Sequence, residues 1–299
     1  MLLSAHSYIV TMRPELTVKQ LDHPFLSTGL LTVVGKKISS EFEFIRRFSP
    51  HIGLLSTLKA KHRFDQPITV PLLGHSVFLR EQTDDLWMLG EVFADDLYRF
   101  PDQVLQVFAG YKDLFVADIG ANIGMASIKM QAQLAQLYNT QVGYVAVEPE
   151  PGNFAVLQKN LPQYLPTDSK LINAGVTSTG EGFVSIFQPQ TIKHTAWFQA
   201  SPSVENTGVK AVSIDQLAQL YSVTGCIDVL KIDVEGAEAE IFQRNTDRLA
   251  ETKIIFIEDH ETIYPNSFAL FAEVAEQYGF KLVSQKGSNR IYINSRFFN

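Results

Sequence analysis

At 299 residues, 45% of them apolar and with a mean hydropathy of +0.02, the chain has the make-up of a soluble, enzyme-sized protein, either one large domain or a domain plus an appendage. A net charge of −7 without any run of Lys or Arg disfavours a nucleic-acid partner. The single Cys226 excludes an internal disulfide, and Met1 to Met12 has no basic start and is too short to span a bilayer, so a cytoplasmic location without a membrane partner is expected.

Residues 1–75 carry no strong period and are punctuated by Pro14, Pro24, Gly29, Pro50, Pro67 and Pro71. They are expected to form an N-terminal appendage, with short helices near 41–48 and 52–62, that covers the acceptor side of a site or makes a homo-oligomer contact. Ser76 to Arg80 reads as a strand, and Leu86 to Phe93 and Pro101 to Tyr111 as helices.

From there the pattern sharpens. Apolar runs at Phe115 to Ile119, Val142 to Val147, Ile227 to Ile232 and Ile254 to Glu258 read as buried parallel strands, with Leu171 to Asn173 a shorter one. Cys226, just before the third of these runs, reads as part of a buried strand. Helices are expected over Met125 to Tyr138, Asn153 to Asn160, Ala237 to Arg244 and Phe268 to Tyr278, with one ending at Leu217 to Tyr221. Gly182 to Phe187 alternates as an edge strand does, and Lys281 to Ser284 and Ile291 to Ile293 are late strands. The alternation predicts an α/β fold whose ligands sit beyond the carboxyl ends of the strands.

At the end of the first buried strand stands Asp118-Ile119-Gly120-Ala121-Asn122-Ile123-Gly124, with a helix directly after it. Glycines here let a ligand approach the backbone at a helix N-terminus, but the three-glycine dinucleotide fingerprint is absent. Glu148-Pro149 closes the second strand, where a carboxylate can accept bonds from both ribose hydroxyls. Asp118, Glu148 and Asp233, with no lysine or arginine placed for phosphates, suit a nucleoside bearing an ammonium and a sulfonium. An NAD-dependent oxidoreductase and a non-catalytic α/β scaffold are the rival readings.

Three blocks then resemble the FkbM family of class I S-adenosylmethionine-dependent methyltransferases: Val116 to Gly124; Val145-Ala146-Val147-Glu148-Pro149 with Asn153-Phe154; and Val229-Leu230-Lys231-Ile232-Asp233-Val234-Glu235-Gly236-Ala237-Glu238. The similarity extends over about Ser76 to Ile293, including Arg80 to Asp85 and Glu91 to Tyr98. It implies a Rossmann-like seven-stranded sheet, mostly parallel with an antiparallel last strand, that binds S-adenosylmethionine. The resemblance also implies that Asp118, Gly120, Ala121 and Gly124 line the methionine and ribose and that Asn122 shapes that loop. On the same basis Glu148 holds the ribose, Pro149, Asn173 and Ala174 flank the adenine, and Asp233 faces the methyl. The family's known work implies O-methylation of a hydroxyl on a small metabolite, such as a natural product of secondary metabolism or a sugar.

A hydroxyl acceptor must lose its proton, so a base is expected beside the methyl. His260, in Glu258-Asp259-His260, is the first candidate because an unperturbed pKa of about 6.5 leaves it neutral. A structural histidine that holds Glu258 in place is the alternative, with Glu258 the next base. The same groups suit a divalent cation, but no metal site is assigned. Glu235 and Glu238 can equally be charges that begin a helix. Gln188 to Gly208, with Trp197 and Phe198, reads as an acceptor lid or a plain surface loop.

Overall fold

A computed structural model describes residues 43–62, 66–187, 199–203, 208–261 and 266–298. A compact unit begins at Ile45. Helices α1 (43–52) and α2 (Leu54–His62) lead into a hairpin of β1 (Ile68–Leu72) and β2 (His75–Leu79). Strand β1 lies in the stretch read as having no strong period; it contains Pro71, which is tolerated because among the described residues β2 is its one partner, leaving its other edge unpaired. The Asn160 side chain accepts from the Phe78 amide at 2.8 Å and donates to its carbonyl at 3.2 Å, fixing the hairpin to the helix that follows the second sheet strand. The described residues from Ile45 onward belong to the unit that holds the sheet.

Helix α3 (Asp85–Leu89) continues as a π-helical turn, Gly90–Ala94, within the span read as one ordinary helix. After α4 (Asp102–Phe108) come β3 (Asp113–Ile119), α5 (Met125–Leu134), β4 (Gln141–Val147), α6 (Pro151–Asn160) and β5 (Lys170–Ile172). Four short strands follow, β6 (Gly175–Val176), β7 (Phe183–Phe187), β8 (Gln199–Ser203) and β9 (Val209–Val212), and they form a separate sheet in the order β6-β9-β7-β8. Strand β7 thus lies inside this small sheet and not at the edge of the large one. Part of the expected loop over Gln188 to Gly208 is strand β8, while Trp197 and Phe198 lie outside the described residues.

Helix α7 (Ile214–Tyr221) opens on a Ser213/Gln216 capping box. Then come β10 (Val229–Ile232), α8 (Glu238–Ile241), β11 (Ile254–Glu258), α9 (Ala269–Tyr278), β12 (Phe280–Lys286) and β13 (Asn289–Asn294). Helix α8 is a single turn, shorter than the predicted Ala237 to Arg244, and half-buried Cys226 lies in the loop before β10. The main sheet has the order β12-β13-β11-β10-β3-β4-β5, and every pairing is parallel except the two made by β13. This is the expected seven-stranded Rossmann-like sheet. Its central strands are buried on both faces, as parallel strands covered by helices must be. Among the described residues no helix is long and apolar enough to cross a membrane.

Register aligns the carboxyl ends. Ile172, Val147, Ile119, Ile232 and Ile257 are successive partners across β5, β4, β3, β10 and β11. The residues that follow them, Asn173, Glu148, Gly120, Asp233 and Glu258, therefore stand in one row along one sheet edge.

Candidate active site

That row opens into a cavity of about 740 Å³. Gly120, Asn122, Glu148, Pro149, Ala174, Asp233, Glu258 and His260 all line it, and helix α3 and the π turn add Trp87, Met88 and Glu91. The other sequence candidates, Asp118, Ala121, Gly124 and Asn173, are not on its wall.

Each of those four has a different task. Asp118 is fully buried beneath the glycine loop, where its carboxylate accepts from Ser127 Oγ at 2.5 Å and lies 3.2 Å from Lys231 Nζ. Ala121 is buried, and its amide donates to the Val147 carbonyl. Gly124 faces Leu161, whose Cδ2 would lie 2.5 Å from an added Cβ. Asn173 donates to the carbonyls of Glu148 and Pro149, both at 2.9 Å, and so fixes the end of β4. In this structure the four stand behind the cavity wall and hold it in place.

Gly120 has φ +74, and a Cβ there would sit 1.8 Å from the Asp233 carbonyl oxygen. Only glycine lets β3 turn out of the sheet this close to β10. Glu148 is buried, yet its carboxylate accepts from the amides of Asn122 at 2.8 Å and Glu150 at 2.9 Å. Burial outweighs these bonds and pushes its pKa up to about 7. Asn153 reaches Glu148 at 3.5 Å and is itself held by Arg80, whose guanidinium also pairs with buried Asp85.

Lys231 is the residue that sequence reasoning passed over. It stands in the middle of buried β10, donates to the Gly120 carbonyl at 2.6 Å, and pairs with Asp118 at 3.2 Å and Asp233 at 3.5 Å. Burial lowers its pKa, but the two carboxylates more than offset this and hold it above the ordinary lysine value. A charge in an otherwise apolar strand was the available signal.

On the far side, His260 is 4% exposed, with Nδ1 2.7 Å from Glu238 Oε1 and Nε2 3.2 Å from Glu235 Oε2. Burial disfavours its charge, but Glu235 and Glu238 overcome that and raise its pKa to about 11. Against the expectation of a neutral His260 ready to take a proton, the two flanking carboxylates favour its protonated form. Glu258 lies on the same wall, accepts from Ser288 Oγ at 2.5 Å, and is pushed up to about 8 by burial and then by Asp233. Glu235 is raised to about 7, chiefly by burial, and has φ +55, a strained value for its residue type. Tyr98 closes the floor, its hydroxyl 3.4 Å from Asp233 Oδ2.

The model of the methyltransferase FkbM domain matches residues 118–282. The chain belongs to this family. It is accordingly an S-adenosylmethionine-dependent methyltransferase, which removes the oxidoreductase and scaffold readings. Hexuronic acid methyltransferase AglP of Haloferax volcanii is 25% identical over 201 residues, 67% of this chain and 77% of that protein. Methyltransferase 1 of Beauveria bassiana is 23% identical over 225 residues, 66% of this chain and 81% of that protein. The crystal structure of MNMC2 from Aquifex aeolicus covers 90% of this chain and 82% of its own, with 13% identity and a TM-score of 0.36. Within the family match lie both the Glu148 wall and the Asp233–Glu258–His260 wall.

Proposed function

We propose that this cavity binds S-adenosylmethionine across the ends of β4, β3 and β10 and directs methyl transfer to a hydroxyl of a small, sugar-like metabolite. The observation that carries the reading is the row Glu148, Gly120, Asp233, Glu258, which sets a ribose-type carboxylate and an acidic methyl-transfer wall on one edge. Among the residues lining the β3–β4 end none is cationic, so the donor set fits a nucleoside with a sulfonium better than a diphosphate.

Glu148 would accept from the two ribose hydroxyls, Oε2 keeping a lone pair beyond its bond from the Asn122 amide and Oε1 giving up its long 3.5 Å contact with Asn153. Pro149, Ala174 and Val176 offer an apolar slot for the adenine. Asp233, at the end of β10, adds a carboxylate to the wall that the sulfonium end would face. Bound there, the cofactor supplies an electrophilic methyl on a good leaving group, so positioning and exclusion of water carry much of the rate.

Glu258, on the cavity wall with Asp233 and raised to about 8, would take the acceptor proton, since such a carboxylate is matched to work near neutral pH. His260 holds the neighbouring carboxylates. The acceptor side offers the Trp87 face together with Glu91, Asp95 and Lys286, which suits a ring with one apolar face and several hydroxyls. Arg47 stacks on Trp87 at 4.5 Å and pairs with Asp95 at 2.7 Å, which supports an acceptor-side role for part of the N-terminal segment. The name of the Haloferax relative also favours a sugar acid or related sugar.

Methyl-labelled S-adenosylmethionine offered with neutral sugars, hexuronic acids and amino sugars tests this reading. Label is expected in a base-stable ether. Label found only on amines would overturn the hydroxyl assignment.

A further inference from the structure

The atoms Asp233 and Glu235 each offer from a carboxylate and His260 from its ring all lie within 4.8 Å of one another. Three ligands about 2.0 to 2.3 Å from a common ion fall at such separations. We infer that Asp233, Glu235 and His260 form a divalent-cation site of the Mg²⁺ or Mn²⁺ class at the methyl-transfer end of the cavity.

Two further observations point the same way. Asp233 Oδ1 is shut off from solvent and makes no hydrogen bond, and Glu235 Oε2, equally shut off, faces His260 Nε2 at 3.2 Å. An orphaned acceptor such as Asp233 Oδ1 is costly unless a cation or donor faces it. The second is the orientation of the imidazole. Glu238, fully buried at the start of α8, faces His260 Nδ1 at 2.7 Å and leaves Nε2 on the side of Asp233 and Glu235. A metal-binding histidine characteristically gives its other N–H to a carboxylate, which fixes both tautomer and ring plane.

Two carboxylate oxygens and one imidazole favour a hard ion that tolerates nitrogen, with open positions for water or substrate. With no metal, a proton on Nε2 supplies the positive charge these carboxylates attract; a divalent ion would displace that proton to solvent. Asp233 divides its two oxygens between the tasks, Oδ2 toward Lys231 and Tyr98 and Oδ1 toward the ion. Resting on the reading of hydroxyl methylation, the ion would bind the acceptor oxygen and lower its pKa beside the methyl, leaving Glu258 to take the proton.

The test titrates the full-length, chelator-treated protein with Mn²⁺ in the absence of cofactor and acceptor, following the EPR signal of the free ion. One saturable site per chain is expected. Glu235→Gln and His260→Asn should each weaken it at least tenfold, and Glu238→Gln by about 10- to 100-fold through loss of the ring's orientation. Circular dichroism identifies the variants that fold. No saturable binding by the wild-type protein, or equal binding by folded Glu235→Gln and His260→Asn, would overturn the site. Because Mn²⁺ binding is read without methyl transfer, its failure is separate from failure of the methylation reading, which the labelled-acceptor experiment decides.

Discussion

Lys231 and Asp118 are register partners on adjacent strands, and their side chains meet 3.2 Å apart beneath the glycine loop, both almost fully buried. The pair ties the floor of the cavity to its rim, because the same ammonium donates to the Gly120 carbonyl. Lys231→Met would leave Asp118 buried without its counter-charge. It should destabilise the fold by about 3 to 5 kcal/mol and weaken cofactor binding, as measured by urea unfolding and calorimetry. A variant as stable as the wild type would show that the pair is not structural.

Gly120→Ala places a methyl against the Asp233 carbonyl. The left-handed backbone alone costs about 1 to 2 kcal/mol for a residue with a Cβ, and the overlap adds to that. Thermal melts should show a lower Tm and loss of the stabilisation that S-adenosylhomocysteine gives the wild-type protein. An unchanged ligand-induced shift would mean that the loop has room the structure does not show.

Glu148 predicts a pH dependence. Its carboxyl titrates at about 7 in the fold against 4.5 for the ordinary group, because burial disfavours the charge. The folded state thus holds this proton more tightly, and the stability from that preference is full below about 4.5 and lost as pH rises through about 7. Cofactor binding has the opposite trend, since the ionised carboxylate is the better acceptor for ribose hydroxyls. Affinity for S-adenosylhomocysteine should rise as pH increases from 6 to 8, approaching tenfold per unit below the pKa, and Glu148→Gln should flatten the profile. A wild-type slope that persists in the variant would assign it elsewhere.

His260→Ala separates a base from a charge-holding imidazolium. Removal of a simple base lowers kcat and leaves the fold intact. Here the loss should also cost about 3 to 5 kcal/mol of stability, because it leaves the fully buried Glu238 without its counter-charge. Replacing both members of the closer pair, His260→Leu with Glu238→Leu, should cost less than the single change, since the fully buried Glu238 charge is then removed along with its partner. A fully stable His260→Ala protein without activity would restore the histidine as base.

Much of this was legible in the sequence. Continuous apolar runs ending in Gly120, Glu148, Asp233 and Glu258 gave both the parallel strands and the row of groups at their ends, because a residue just past a buried strand must emerge at the sheet edge. What the one-dimensional pattern hid was depth and pairing. Asp118 and Gly124 belong to the glycine motif, yet one points under the loop and the other packs on Leu161. Lys231 acquires meaning from its register opposite Asp118, and Glu238 from a histidine 22 residues away. The Arg80–Asn153 link joins residues 73 apart in the chain. Short strands such as β6 and β9, and the π turn that aims Glu91 into the cavity, carry too few residues for a period to show.

Whether this edge binds S-adenosylmethionine with its ribose on Glu148 is decided by calorimetry of S-adenosylhomocysteine against wild-type and Glu148→Ala protein. One-to-one binding is expected, weakened by the substitution by about 1.5 to 3 kcal/mol while the protein stays folded, with no comparable binding of NAD. Equal affinity in a folded Glu148→Ala protein, or tighter binding of NAD than of S-adenosylhomocysteine, would place the ribose elsewhere or the cofactor in another class.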